Sequence, residues 1–245
     1  MVSKPQVLTL FISPMKKYIT AAALLAAGIA FANAETFTLP ESSDFTWIPG
    51  SNASGIGTGA SATIVQNLAA AIENPSVGNT DLVGWFGGTG QGYAQSSYND
   101  ITITGENSFK FKCRPALSGE YVALVVELTE EAESITLSFQ NDNKLGYSLW
   151  SYDAGTKLAM ELIGVTGLTS ATTVSQTFDT SKVEGSYIFA LWTANPSTGN
   201  AGGGTTITVS DIVLSYTAPI PEPSAFGLLA GLGALALVGG RRRRK

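Results

Sequence analysis

The sequence predicts an all-β body, a β-sandwich carrying one short helix, set between two targeting segments. Three observations lead there. Short runs of alternating or β-branched apolar residues recur along the middle of the chain, separated by Gly, Asn and Pro turn signals. Only one stretch of that middle has helical spacing. The two ends differ from the middle in composition, because they hold most of the positive charge and the longest apolar runs.

Taken in order, Met15-Lys16-Lys17 opens a basic segment, Ile19 to Phe31 is apolar, and Ala32-Asn33-Ala34 is a small-x-small cleavage site. This predicts a signal peptide over 15–34, with cleavage between Ala34 and Glu35 and export by the Sec machinery. Residues 1–14 read as a mis-called start ahead of Met15. The body then runs over 35–218.

Within it, Glu35 to Trp47 reads as a first strand and Pro49 to Ala60 as a loop. In Ser61 to Glu73, Ile64, Leu68 and Ile72 with Val65 and Ala69 fall at intervals of three and four. That predicts a helix capped by Ser61 or Thr63 and stopped at Asn74-Pro75; an alanine-rich strand is the competing reading. Leu82 to Phe86 is a short apolar run. Gly87-Gly88-Thr89-Gly90-Gln91-Gly92 reads as a flexible loop, since it lacks the Lys-Ser/Thr ending and the βαβ context of a phosphate cradle.

Ile101 to Thr104 is a strand, and Phe109-Lys110-Phe111-Lys112-Cys113 alternates strictly, placing Phe109, Phe111 and Cys113 on one face. Tyr121 to Leu128 is almost continuously apolar and reads as a central strand. Ser134 to Gln140 and Leu145 to Tyr152, joined by Asn141-Asp142-Asn143-Lys144, have the look of a hairpin. Lys157 to Val165 reads as strand ahead of helical turn, and Ala171 to Phe178 as strand. In Tyr187 to Trp192, Tyr187, Phe189 and Leu191 share one side, with Ile188, Ala190 and Trp192 on the other. Asn195 to Gly204 is a loop, and Thr205 to Tyr216 is a closing strand bulged near Ser210-Asp211.

The chain has no histidine and one cysteine, Cys113. This excludes Ser-His-Asp and Cys-His catalysis, His-ligated metal sites and an intramolecular disulfide. The body's cations are Lys110, Lys112, Arg114, Lys144, Lys157 and Lys182, outnumbered by its acids, so no basic patch for nucleic acid is expected. No cofactor and no metal are expected; Asn141-Asp142-Asn143 and Asp211 offer oxygens but lack the EF-hand pattern. Cys113 reads as a core residue, with a free thiol for intermolecular pairing as the alternative.

The C-terminal segment, 219–245, has three parts. Pro221-Glu222-Pro223 cannot continue a helix and reads as extended. Ala225 to Val238 is apolar and rich in Gly and Leu, long enough with its flanks to approach the roughly 20 residues of a membrane span. Arg241-Arg242-Arg243-Arg244-Lys245 is a basic cluster that holds the end of such a span on the cytoplasmic side. This order of features resembles the PEP-CTERM sorting signal of Gram-negative bacteria that make exopolysaccharide. The resemblance implies a single transmembrane helix held transiently in the inner membrane, an exosortase as partner, cleavage at or near Pro221-Glu222-Pro223, and delivery to the cell surface or extracellular matrix. Separately, Thr205 to Tyr216 is similar to the closing strand of jelly-roll, carbohydrate-binding-like domains, which implies a jelly-roll sandwich.

Three readings of the body follow. The first is a non-enzymatic, carbohydrate-binding or adhesive protein that meets extracellular polysaccharide through aromatic rings. Trp47, Trp85, Trp150, Tyr152 and Trp192 are the candidates; Trp85, beside the glycine tract, is the one expected to be exposed, and Trp150 and Trp192 are expected in the core. The second is a secreted glycoside hydrolase or lyase, which needs a carboxylate pair across a cleft. Glu127, Asp153, Glu161 and Asp211 are available, but no spacing pairs them. The third is a purely structural matrix component.

Overall fold

The computed structural model describes residues 34–48, 61–74, 81–89, 101–112, 120–179, 186–193 and 206–219. All of them fall in one compact unit, Asn33–Pro219. The signal segment before Ala34, Cys113, the glycines beyond Thr89, the sorting motif Pro221-Glu222-Pro223, the apolar run after it and the cluster Arg241 to Lys245 lie outside the described residues. Among the described residues no helix is long and apolar enough to cross a membrane.

Two six-stranded sheets face each other. The first has the order β10 (Thr172–Asp179), β7 (Ser134–Asn141), β12 (Thr206–Thr217), β5 (Ser108–Lys112), β4 (Thr102–Gly105). β1 (Ala34–Thr36) pairs with the end of β12. The second has the order β2 (Phe45–Ile48), β3 (Gly84–Thr89), β6 (Glu120–Glu127), β11 (Tyr187–Thr193), β8 (Leu145–Asp153), β9 (Leu158–Leu168). Every pairing is antiparallel except β2 with β3.

Sequence pattern accounts for the two layers. β7 alternates between buried Ile135, Leu137 and Phe139 and partly exposed Thr136 and Ser138, so one face meets the core and the other meets water. β6, β8 and β11 are buried on both faces. Their inward residues, among them Val122, Leu124, Leu149, Ala190 and Trp192, form the core between the sheets. Their outward residues Tyr121, Ala123, Val125, Trp150, Tyr152, Phe189 and Leu191 form a second apolar layer with helix α1 (Ala62–Ile72). The helix covers them with Val65, Leu68, Ala69, Ala71 and Ile72. Ser61 caps it by accepting the Ile64 N–H at 3.4 Å. The helix, the two-sided split of Tyr187 to Trp192 and the bulge are as the sequence indicates. β12 shifts register between Ser210 and Val213, with Asp211 at φ 52.

Three expectations are corrected. Ser134–Gln140 and Leu145–Tyr152 do not form a hairpin: β7 and β8 belong to opposite sheets. The turn between them crosses the sandwich, held by Asn141 Nδ2, which donates to the carbonyls of Asn143 and, at 3.1 Å, Ser170. The hairpin is formed by β8 and β9 instead. Asp153 Oδ1 accepts the N–H groups of Gly155 and Thr156 in its turn, and Lys157 closes it at φ 59. Glu35 to Trp47 is not one strand. It divides into β1 and β2, which lie in different sheets, with Pro40 and a 3-10 turn over Ser42–Asp44 between them. Gly87 and Gly88 are not loop but the middle of β3. A Cβ at Gly88 would stand 2.6 Å from the Ile48 carbonyl oxygen, so the parallel partner β2 approaches only because glycine is there.

Candidate functional site

The aromatic platform expected from the sequence is not on the surface. Trp85 is fully buried, and its assignment as an exposed stacking residue is corrected. It points into the space between the sheets, where its ring stacks on Trp192 at 6.4 Å and meets Phe109 edge-on at 6.0 Å. Its Nε1 donates to the Pro40 carbonyl at 3.0 Å. Trp85 alternates with Phe86 along β3, and a strand covered on both faces gives either residue no route to solvent. Trp150, Tyr152 and Trp192 are buried as well, and Trp47 is half-buried.

The carboxylates do not converge either. Glu127 ends β6 and Glu161 lies on edge strand β9, both exposed. Asp211 belongs to the other sheet, at the bulge of β12. Asp153 is occupied by its turn, where the Thr156 and Gly155 N–H groups hold its carboxyl below the usual carboxylate range. The asparagine turn is likewise consumed by structure. Asp142 Oδ1 accepts the Thr208 N–H at 2.8 Å, and Asn143 Oδ1 accepts the Lys144 N–H at 2.8 Å. Among the described residues no three His, Cys, Asp or Glu side chains are gathered as a metal site would need.

Since α1 covers the second sheet, the open sheet face is the outer face of the first. Register places Thr136 beside Thr177 on one flank and Ser215 on the other, with Ser138 beside Ser175 and Val213 in the next row. Thr173 continues the pattern opposite Gln140. The hydroxyls form cross-strand hydrogen bonds, Thr136 with Thr177 at 2.8 Å and Ser138 to Ser175 at 3.0 Å. The rows from Thr173 to Thr177 carry no charge, and Asp179, opposite Ser134, ends them. Sequence reading weighed these strands for their core residues and passed over the hydroxyls between them; the signal was the Thr/Ser at every second position of 134–138 and 173–177.

β1 holds Ala34 opposite Thr217 and Glu35 opposite Tyr216 at the end of β12. The Tyr216 hydroxyl donates to Glu35 at 2.8 Å, which pushes the phenol up to about 12.

Residues 219–244 match the family model described as the PEP-CTERM protein-sorting motif. The chain therefore carries that sorting motif at its C-terminal end. No curated protein sequence matches the chain. Among solved structures it is similar to one titled "CBM4 structure and function", at 13% identity over 54% of this chain and 86% of that one, with a TM-score of 0.35. A second is the CBM22-1 xylan-binding domain of Paenibacillus barcinonensis Xyn10C, at 10% identity over 49% and 81%, TM-score 0.34. A third is the non-crystalline cellulose specific module CBM28, at 7% identity over 49% and 80%, TM-score 0.32.

Proposed function

We propose that this is an exported, non-enzymatic protein of the cell surface or extracellular matrix, delivered by Sec and sorted by an exosortase. The observation that carries the reading is the sorting motif at 219–244. In this account the signal over 15–34 is removed after Ala34. The apolar run after Ser224 forms a single transmembrane helix that holds the chain in the inner membrane, and the basic cluster Arg241 to Lys245 stays cytoplasmic. The exosortase acts at Pro221-Glu222-Pro223. Intact-mass analysis of the surface fraction tests this, beside a strain lacking the exosortase. A mass beginning at Glu35 and ending near Pro221 to Pro223, lost in that strain, is the expected result. A mass that retains Arg241 to Lys245 in both strains would reduce the tail to a plain anchor.

For the body we propose a jelly-roll-like sandwich that contacts neutral extracellular polysaccharide through the hydroxyl face of its first sheet. Thr and Ser each donate and accept, which suits a chain of sugar hydroxyls, and the rows from Thr173 to Thr177 carry no charge to favour an ionic ligand. The buried rings leave hydrogen bonding rather than stacking as the mode of contact. Retention on a panel of neutral polysaccharides is the test, comparing the native chain with a Thr136→Val/Thr177→Val variant. Valine keeps β-propensity and shape while removing both hydroxyls. Reduced retention is expected. Absence of retention by the native chain would leave the structural-matrix reading in its place.

A further inference from the structure

We infer that strand β10 is an assembly edge that pairs antiparallel with β10 of a second copy of this chain. The four terminal strands of the two sheets are unequal. β4 and β2 have four residues each, and β4 is interrupted by a register shift against β5. β9 is longer but carries exposed Glu161, contains Gly164 and Gly167, and shifts register against β8. These are the devices by which natural sheets blunt their edges. β10 carries only one of them, exposed Asp179 at its last position. It runs eight residues in unbroken register with β7, and contains no Gly, Pro or Lys. Its Thr172 to Phe178 are uncharged and, apart from Gln176, favour the strand or tolerate it. Among the described residues its outward edge pairs with no strand.

The sequence of β10 also selects its partner and register. A two-fold axis at Gln176 sets Gln176 opposite Gln176 of the other copy. Val174 then faces Phe178, Ser175 faces Thr177, and Thr173 faces Asp179. Buried Val174 and half-buried Phe178 would form two aromatic–β-branched pairs and carry the core row from one copy into the next. Ser175 opposite Thr177 repeats the hydroxyl pairs already made across β7 and β10. No like charges are opposed, which matters because the whole chain is acidic, with a net charge of −5. An axis one residue earlier would place Val174 against Gln176 and lose both apolar pairs. This inference does not depend on the sorting or polysaccharide readings.

Cysteine cross-linking of the full chain in the expressing cell tests it, in a Cys113→Ser background with a membrane-permeant oxidant. Directly opposed residues of an antiparallel pair have Cα atoms about 4.5–5.5 Å apart, within disulfide range. Gln176→Cys is expected to give at least about tenfold more dimer on a non-reducing gel than Thr173→Cys, whose counterpart lies six positions along the partner strand. Gln176→Cys that stays monomeric while a maleimide labels its thiol would overturn the pairing. So would equal cross-linking at both positions, which reports collision. If the Gln176→Cys chain does not accumulate, co-expressed Ser175→Cys and Thr177→Cys chains carry the same test: they should link to each other, and failure to do so overturns the proposal.

Discussion

Trp85 stacks on Trp192 inside the sandwich, with ring centroids 6.4 Å apart and planes inclined by 26°. One ring comes from β3 and the other from β11, and Phe109 of the opposite sheet packs edge-on against both, at 6.0 and 5.2 Å. This aromatic cluster ties the two sheets together. Trp85→Ala should cost about 3–5 kcal/mol, the range for emptying a large core site. Trp85→Phe should cost clearly less. Denaturant midpoints of the exported protein check this. A Trp85→Ala protein with native stability and reduced polysaccharide retention would restore the stacking role the structure denies it.

Gly88 and Gly87 should respond differently to the same change. A methyl group at Gly88 meets the Ile48 carbonyl oxygen at 2.6 Å, a backbone atom of the parallel partner strand. At Gly87 it meets the Phe45 ring at 2.9 Å and the Ile101 side chain at 3.0 Å, both of which can turn aside. Gly88→Ala should destabilise by about 1–3 kcal/mol as an overpacked site, and Gly87→Ala by less. Equal effects in thermal unfolding would mean that β2 and β3 do not approach each other as described.

Tyr121 supplies the alkaline limit. Its hydroxyl is buried over Gly88 and makes no hydrogen bond among the described residues. Burial pushes its pKa far above the ordinary value of 10.0. The folded chain therefore keeps this proton after the unfolded chain has released it. The resulting contribution is fully present below about pH 10, and is lost as pH rises from there toward the folded pKa. Tyr121→Phe removes both the titration and an unsatisfied polar atom. It should stabilise the fold by about 1–2 kcal/mol at neutral pH and flatten the loss of stability above pH 10. Unfolding curves at pH 8 and above pH 10 would show it; a Tyr121→Phe protein with the native pH slope would assign the alkaline limit elsewhere.

What the sequence disclosed depended on whether the cause was local. The helix was legible because Ile64, Val65, Leu68, Ala69 and Ile72 are spaced for one face, and the sorting tail because three features follow in order. The crossing of β7 to β8 was masked by turn residues that suit a hairpin equally well. The discriminating signal was present, since β7 alternates and β8 is apolar or small on both faces, and strands with unlike burial need not share a sheet. Trp85 and Gly88 were misread for a different reason. Glycine beside tryptophan resembles a loop until the Ile48 carbonyl and the Trp192 ring are seen to occupy the space around them, and both come from residues distant in sequence.

Lys157 joins two effects that one substitution can separate. Its Nζ lies 2.8 Å from both carboxylate oxygens of Glu73, so the β8–β9 turn holds the C-terminal end of α1. Its backbone sits at φ 59, a conformation that glycine adopts without the penalty a side chain brings. Lys157→Ala removes the ion pair and keeps the backbone penalty, whereas Lys157→Gly removes both. The ion pair is largely exposed, so its contribution is small and falls further with salt. Lys157→Gly should therefore be at least as stable as the native chain in high salt, and Lys157→Ala less stable than Lys157→Gly at every ionic strength. Thermal unfolding across a salt series distinguishes them. If Lys157→Gly proved the weaker of the two, the backbone at this turn would not carry the penalty assigned to it; if it proved weaker than the native chain in high salt, the Lys157 side chain would contribute more than a screened ion pair.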